Sequence, residues 1–102
     1  MKILLYTDNL MTRAQLEGTW RNAGATVFTN AETEPDLIVV DLTANAVLAQ
    51  IQMFRSDYPD TEILAFGPHV EGEAFKQARL AGTSSQVTRG KVVERVLKLL
   101  QK

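Results

Sequence analysis

Pro35-Asp36-Leu37-Ile38-Val39-Val40-Asp41-Leu42-Thr43-Ala44 holds the run on which the fold turns. Leu37 to Val40 are branched and apolar throughout, with an acid on either side. No polar residue alternates with them, so neither face of the stretch is suited to water. A continuous run bounded by charge is the pattern of a parallel strand covered on both faces. Ile3-Leu4-Leu5-Tyr6 and Ile63-Leu64-Ala65-Phe66 repeat it. Thr26-Val27-Phe28-Thr29 and Ser85-Gln86-Val87-Thr88 are weaker candidates.

Helical periodicity fills the intervals. From about Asn9 to Ala23, Arg13, Leu16, Trp20 and Ala23 step by three or four, and Gly24 stands at the C′ stop. Val47, Leu48, Ile51 and Phe54 stripe residues 44–56, and Tyr58-Pro59 ends that helix. Ala74, Phe75, Ala78 and Leu80 stripe 71–81, with Gly82 as cap. Val92, Val93, Val96, Leu97 and Leu100 stripe 90–100. Strands alternating with helices predict a doubly wound α/β domain with a parallel sheet. One crossover is abnormal, because only residues 30–35 separate the second strand from Asp36. A parallel crossover usually needs about ten residues and a helix. Six extended residues still reach about 20 Å, enough to pass one intervening strand at about 4.8 Å spacing. The sheet therefore survives, ordered 2-1-3-4-5, with the second helix missing or vestigial.

The chain has 102 residues, 45% of them hydrophobic and 23% charged, which suits one globular domain over residues 1–102. Cysteine is absent and there is one histidine, so disulfides, thiol chemistry and multi-histidine zinc sites are excluded. No apolar run approaches a membrane span, and MKILLYTDN is not a signal peptide. The expected location is the cytoplasm. Net charge is −1, with no general pull toward nucleic acid. The charge is nonetheless segregated. Residues 30–75 carry nine acids against Arg55 alone, and residues 76–102 carry seven bases against Glu94 alone. Two solvated faces explain this more simply than two partner surfaces.

In open α/β sheets the functional crevice lies at the carboxyl ends of the strands. Those ends supply Thr7-Asp8-Asn9, Asp41-Leu42-Thr43, Gly67-Pro68-His69 and Thr88-Arg89-Gly90. Asp8 and Asp41 follow adjacent strands and should converge as an acidic pocket. Two carboxylates and a backbone carbonyl are a minimal hard-cation site suited to Mg2+. Alternatively, each aspartate caps the following helix.

The stretches KILLYTDNLMTRAQLEGTWRNAGATV (2–27), PDLIVVDLTA (35–44), FRSDYPDTEILAFG (54–67) and FKQARLAGTSSQV (75–87) resemble the receiver domain of two-component response regulators. They cover nearly the whole chain in the family's order. The resemblance implies a flavodoxin-like, CheY-like (βα)5 fold and a role in phosphorelay signal transduction. It puts Asp41 at the phosphoacceptor position, Asp8 at the second of the paired metal-binding acids, and Thr43 where a carbonyl completes the ion site.

The departures from the family pattern are concentrated in the site. Thr7 replaces the first paired acid. Gly67 replaces the switch Ser/Thr and has no hydroxyl. Arg89 replaces the lysine that pairs with the phosphoryl group, and a planar fork is not a point charge. Gly90 replaces the following proline, and Gln86 the aromatic of the fifth strand. Phosphoryl transfer depends on positioned charge around the transferring group. Losing an acid, a hydroxyl and a lysine together implies a pseudo-receiver, with the fold kept and the phosphoswitch eroded. The metal set is then Asp8, Asp41 and Thr43 and binds Mg2+ weakly if at all. Arg89 is alternatively expected to neutralise the two aspartates directly.

Rival chemistries lack their residues. The loop after the first strand has no glycine for a flavin phosphate, and there is no G-x-G-x-x-G, no G-x-S-x-G and no catalytic cysteine. Cobalamin modules need D-x-H-x-x-G after that strand, where Asp8 is followed by Leu10 and Arg13. His69 could relay a phosphoryl group, although a solvated loop residue is the plainer reading. Trp20 belongs to the core. Lys91, Arg95 and Lys98 share a helix face, without interleaved aromatics for nucleic acid. The expected function is a non-enzymatic module working through a protein partner or a second copy of the chain, not through nucleic acid or a membrane. No output domain is expected after Lys102, so signalling is expected to pass to a separate protein. The alternative is a phosphorylatable single-domain regulator using Asp41 and Mg2+. The missing second helix predicts a thinly covered apolar face on the first two strands, with Val27 or Phe28 pointing to it.

Overall fold

The computed structural model describes residues 1–30, 33–68 and 72–101. Five strands, β1 (Lys2–Tyr6), β2 (Thr26–Phe28), β3 (Leu37–Asp41), β4 (Glu62–Gly67) and β5 (Ser85–Thr88), pair in the order β2-β1-β3-β4-β5. Every pairing is parallel. The helices are α1 (Leu10–Asn22), α2 (Val47–Asp57), α3 (Glu73–Ala81) and α4 (Arg89–Leu100). This is the expected doubly wound sheet, and among the described residues no helix joins β2 to β3.

Strand alternation sorts the core into two layers. Ile3, Leu5, Val27, Leu37, Val39, Leu64 and Phe66 face α1 and α4, where Leu16, Trp20, Val92 and Val96 meet them. Leu4, Ile38, Val40, Ile63 and Ala65 face α2 and α3, where Ile51, Phe54 and Ala78 meet them. Trp20 is fully buried, and its indole N–H donates to the Val93 carbonyl at 3.4 Å. Gly24 and Gly82 adopt left-handed φ values of 100° and 130° just beyond α1 and α3, as the stop signals predict.

The expected thin cover over the first two strands is found in part. Phe28, with Leu4 and Tyr6, is the residue that points to the side where a second helix would lie. Leu4 is only 1% exposed, however, and Phe28 and Tyr6 are half-buried. The Phe54 ring of α2 meets Tyr6 edge-on at 6.0 Å, and Pro35 of the link is buried. The helix after β3 thus reaches over the end of β1 at Tyr6. Sequence arithmetic counted the missing helix but not the reach of its neighbour.

No helix among the described residues is long and apolar enough to cross a membrane.

Candidate functional site

Sheet register builds the site. Tyr6 pairs with Val40, Asp41 with Phe66, and Gly67 with Thr88. Extending β1 by one residue sets Thr7 beside Asp41 on the adjacent strand end. Both are nearly sealed from water, Thr7 at 2% and Asp41 at 3% exposure. The Thr7 hydroxyl donates to Asp41 Oδ2 at 2.7 Å. Asp41 Oδ1 accepts the Thr43 N–H at 2.9 Å and the Thr43 hydroxyl at 2.7 Å. Thr7 Oγ1 in turn accepts the Asn9 N–H at 3.2 Å, and the Thr7 carbonyl accepts from Arg13 Nη2 at 2.8 Å. A buried carboxylate is tolerable only when its oxygens are hydrogen-bonded, and three donors meet that need here.

Asp8 does something different. It is exposed, and its Oδ2 accepts the Asn45 N–H at 2.6 Å, tying the loop after β1 to the loop after β3. Asn9, not Asp8, caps α1, with Oδ1 accepting the Thr12 N–H at 2.9 Å. Neither aspartate caps a helix, so the capping alternative is a correction. The two acids stand on neighbouring strand ends as expected, yet they share no hydrogen-bond donor among the described residues. They also explain why α2 starts at Val47 rather than near Ala44. Asp41 holds the Thr43 amide and Asp8 holds the Asn45 amide, leaving a run of turns that ends at Ala46 with φ 55°.

The expected Arg89 neutralisation is a second correction. Arg89 opens α4 in an exposed position, and among the described residues the ion pairs are Arg21–Glu17 and Lys98–Glu94. Hydroxyl and amide donors satisfy Asp41 without it. Lys91, Arg95 and Lys98 do share one face, as their spacing predicts. His69 lies outside the described residues.

Gly67 closes β4 beside a cavity of about 250 Å3 lined by Leu42, Thr43 and Phe75. A Cβ placed on Gly67 would lie 3.6 Å from Leu42 Cδ1 and from Phe75 Cζ, which is ordinary contact. Packing does not force a glycine here. Gly67→Ser is expected to keep the fold, with stability within about 1 kcal/mol of wild type, because a strand glycine has little to lose. A urea melt checks this, and a loss several times larger would mean that the cavity cannot take a side chain.

The fit of this pocket to Mg2+ follows from its donor set. Magnesium takes near-octahedral oxygen ligands, usually one or two carboxylates with water or phosphate oxygens completing the shell. Asp41 already carries three donors and Asp8 a fourth, and no group of three acidic or histidine side chains among the described residues could hold a metal ion. The residues present do not fit a resident magnesium ion.

No family model matches the chain and no curated protein matches it. Solved structures do. The chemotaxis protein CheY4 of Vibrio cholerae superposes with TM-score 0.83 at 23% identity, over 98% of this chain and 95% of that one. The receiver domain of the sensor histidine kinase PA1611 from Pseudomonas aeruginosa gives 0.83 at 18%, over 98% and 93%, and carries a magnesium ion coordinated in its active-site cleft. A response regulator from Thermotoga maritima gives 0.77 at 17%, over 99% and 98%. Sheet order, helix placement and these superpositions agree that the chain has the flavodoxin-like fold of response-regulator receiver domains, with one helix fewer among the described residues.

Proposed function

We propose that the chain is a signal-transduction module of receiver type that acts through protein–protein contact, with the phosphorylation chemistry of that fold lost. One observation carries the reading: the carboxylate at the phosphoacceptor position is buried and accepts three hydrogen bonds, one of them from the residue that replaces a metal-binding acid. To attack phosphorus, Asp41 would have to release a donor from the attacking oxygen. The charge building up on the phosphoryl oxygens would then need cations. Gly67 offers no hydroxyl there, and exposed Arg89 is not held against the site. Asp8 is the one acid left to help a cation bind, and Mg2+ therefore enters this reading at most as a weak visitor. The partner is a protein or a second copy of the chain.

The test is beryllofluoride, an acylphosphate mimic, added with Mg2+ to isotopically labelled protein. Amide spectra are expected to show no slow-exchange shifts at Asp41, Leu42, Gly67 or Thr88. Saturable shifts there, abolished by Asp41→Asn, would favour the other reading, a phosphorylatable regulator.

A further inference from the structure

We propose that Thr7 bars divalent cations from Asp41 Oδ2, the oxygen that Thr43 leaves open, its hydroxyl proton standing where positive charge would otherwise be required. The proposal deepens the reading above and rests on it for the identity of the pocket, but it concerns binding, not phosphoryl transfer. The geometry is specific. Asp41 Oδ2 is met by Thr7 Oγ1 at 2.7 Å, inside a contact that is 2–3% exposed on both sides. A hydroxyl spends its single proton on one acceptor. The Asn9 N–H takes a lone pair of the same oxygen, which orients the proton toward Asp41. A cation approaching Oδ2 would meet that proton and would have to turn it away. Asp41 Oδ1 is closed in the same manner by both donors of Thr43.

Of the differences from a receiver site, only Thr7 acts on a metal. Gly67 and Arg89 touch neither aspartate among the described residues. One substitution should therefore reopen the pocket. In Thr7→Asp a carboxylate replaces the donor and sits against Asp41. Two adjacent carboxylates repel each other without a cation and chelate one when it is present.

The experiment is thermal denaturation of full-length wild type, Thr7→Asp and Thr7→Asp/Asp41→Asn, with MgCl2 at about 10 mM, high enough to saturate even a weak site. Equal ionic strength in NaCl is the control. Wild type is expected to shift by less than about 1 °C, and Thr7→Asp to rise by about 5 °C or more. Calorimetric titration should give Thr7→Asp an affinity for Mg2+ at least about tenfold above wild type, and the double variant should lose it. If Thr7→Asp does not fold even with Mg2+, Thr7→Asn decides, since it supplies a neutral oxygen ligand without added repulsion. It should show a smaller rise of the same sign. A wild-type shift equal to the variant's, or a folded variant with no shift, would overturn the proposal. Should wild type accept a phosphoryl group with no divalent ion present, the functional reading fails while this inference stands.

Discussion

Arg55→Ala should lower the melting temperature by about 15 °C, from a loss of about 3 kcal/mol. Arg55 is half-buried in the last turn of α2, and its guanidinium organises two loops at once. Nη1 donates to the carbonyls of Tyr58 at 3.2 Å, Pro59 at 3.0 Å and Thr61 at 2.7 Å. Nε and Nη2 both donate to the Gly82 carbonyl, at 3.0 and 2.9 Å. Nη2 also reaches Ser84 Oγ at 3.1 Å, an oxygen that in turn accepts the Ile63 N–H. The loop entering β4 and the loop entering β5 are thus fixed by one side chain. Removing it strands several carbonyls whose alternative partner is water, which reaches this spot only in part. Gly82 adds a steric condition, since a Cβ there would come within 3.0 Å of Arg55 Cβ. Arg55→Lys should recover little, because an ammonium cannot span both loops with a planar fork. Chemical denaturation of the two variants and of Ser84→Ala checks this. Arg55→Lys behaving as wild type would mean that charge alone, and not the fork, holds the loops.

Asp41→Ala should cost a similar amount, about 3 kcal/mol, because it leaves the Thr7 hydroxyl and both Thr43 donors facing a void. The sign for Asp41→Asn is the informative part. Where a pocket crowds acids together, neutralising one relieves repulsion and stabilises the fold. Here the carboxylate is surrounded by donors, and Asp8 is engaged with the Asn45 amide instead. An asparagine keeps one acceptor for Thr43 but presents an NH2 to Thr7, whose proton then lacks its partner. The expected change is a loss of about 1 kcal/mol. A melt in which Asp41→Asn is more stable than wild type would show that Asp41 suffers net repulsion.

The sheet was legible in the sequence because its strands need no context. Leu37–Val40 cannot face water on either side, so the run declares both its type and its depth. The short crossover gave away the missing helix because chain reach is a matter of length. The site was harder. Asp41 announced itself as an acid at the end of the central strand, yet Thr7 read only as a lost charge. That a threonine hydroxyl would turn to Asp41 follows from the β1–β3 register, and periodicity does not fix register. Arg89 looked like the natural counter-ion from its place at the carboxyl end of the fifth strand, but helix α4 begins at that residue and leaves it exposed. Arg55 carried a signal that went unused: it is the one cation among nine acids between residues 30 and 75, at the foot of a helix. Its partners are carbonyls from loops distant in sequence, and no local pattern names them. The half-covered state of Phe28 likewise depends on how far α2 leans, which strand and helix stripes do not encode.

The most direct test of the account is intact-mass measurement of the wild-type chain at short times after mixing with acetyl phosphate and Mg2+. A buried carboxylate closed by Thr7 and Thr43 predicts a chain that stays unmodified under conditions that phosphorylate a working receiver domain run alongside. One added phosphoryl group per chain, lost in Asp41→Asn, would contradict it.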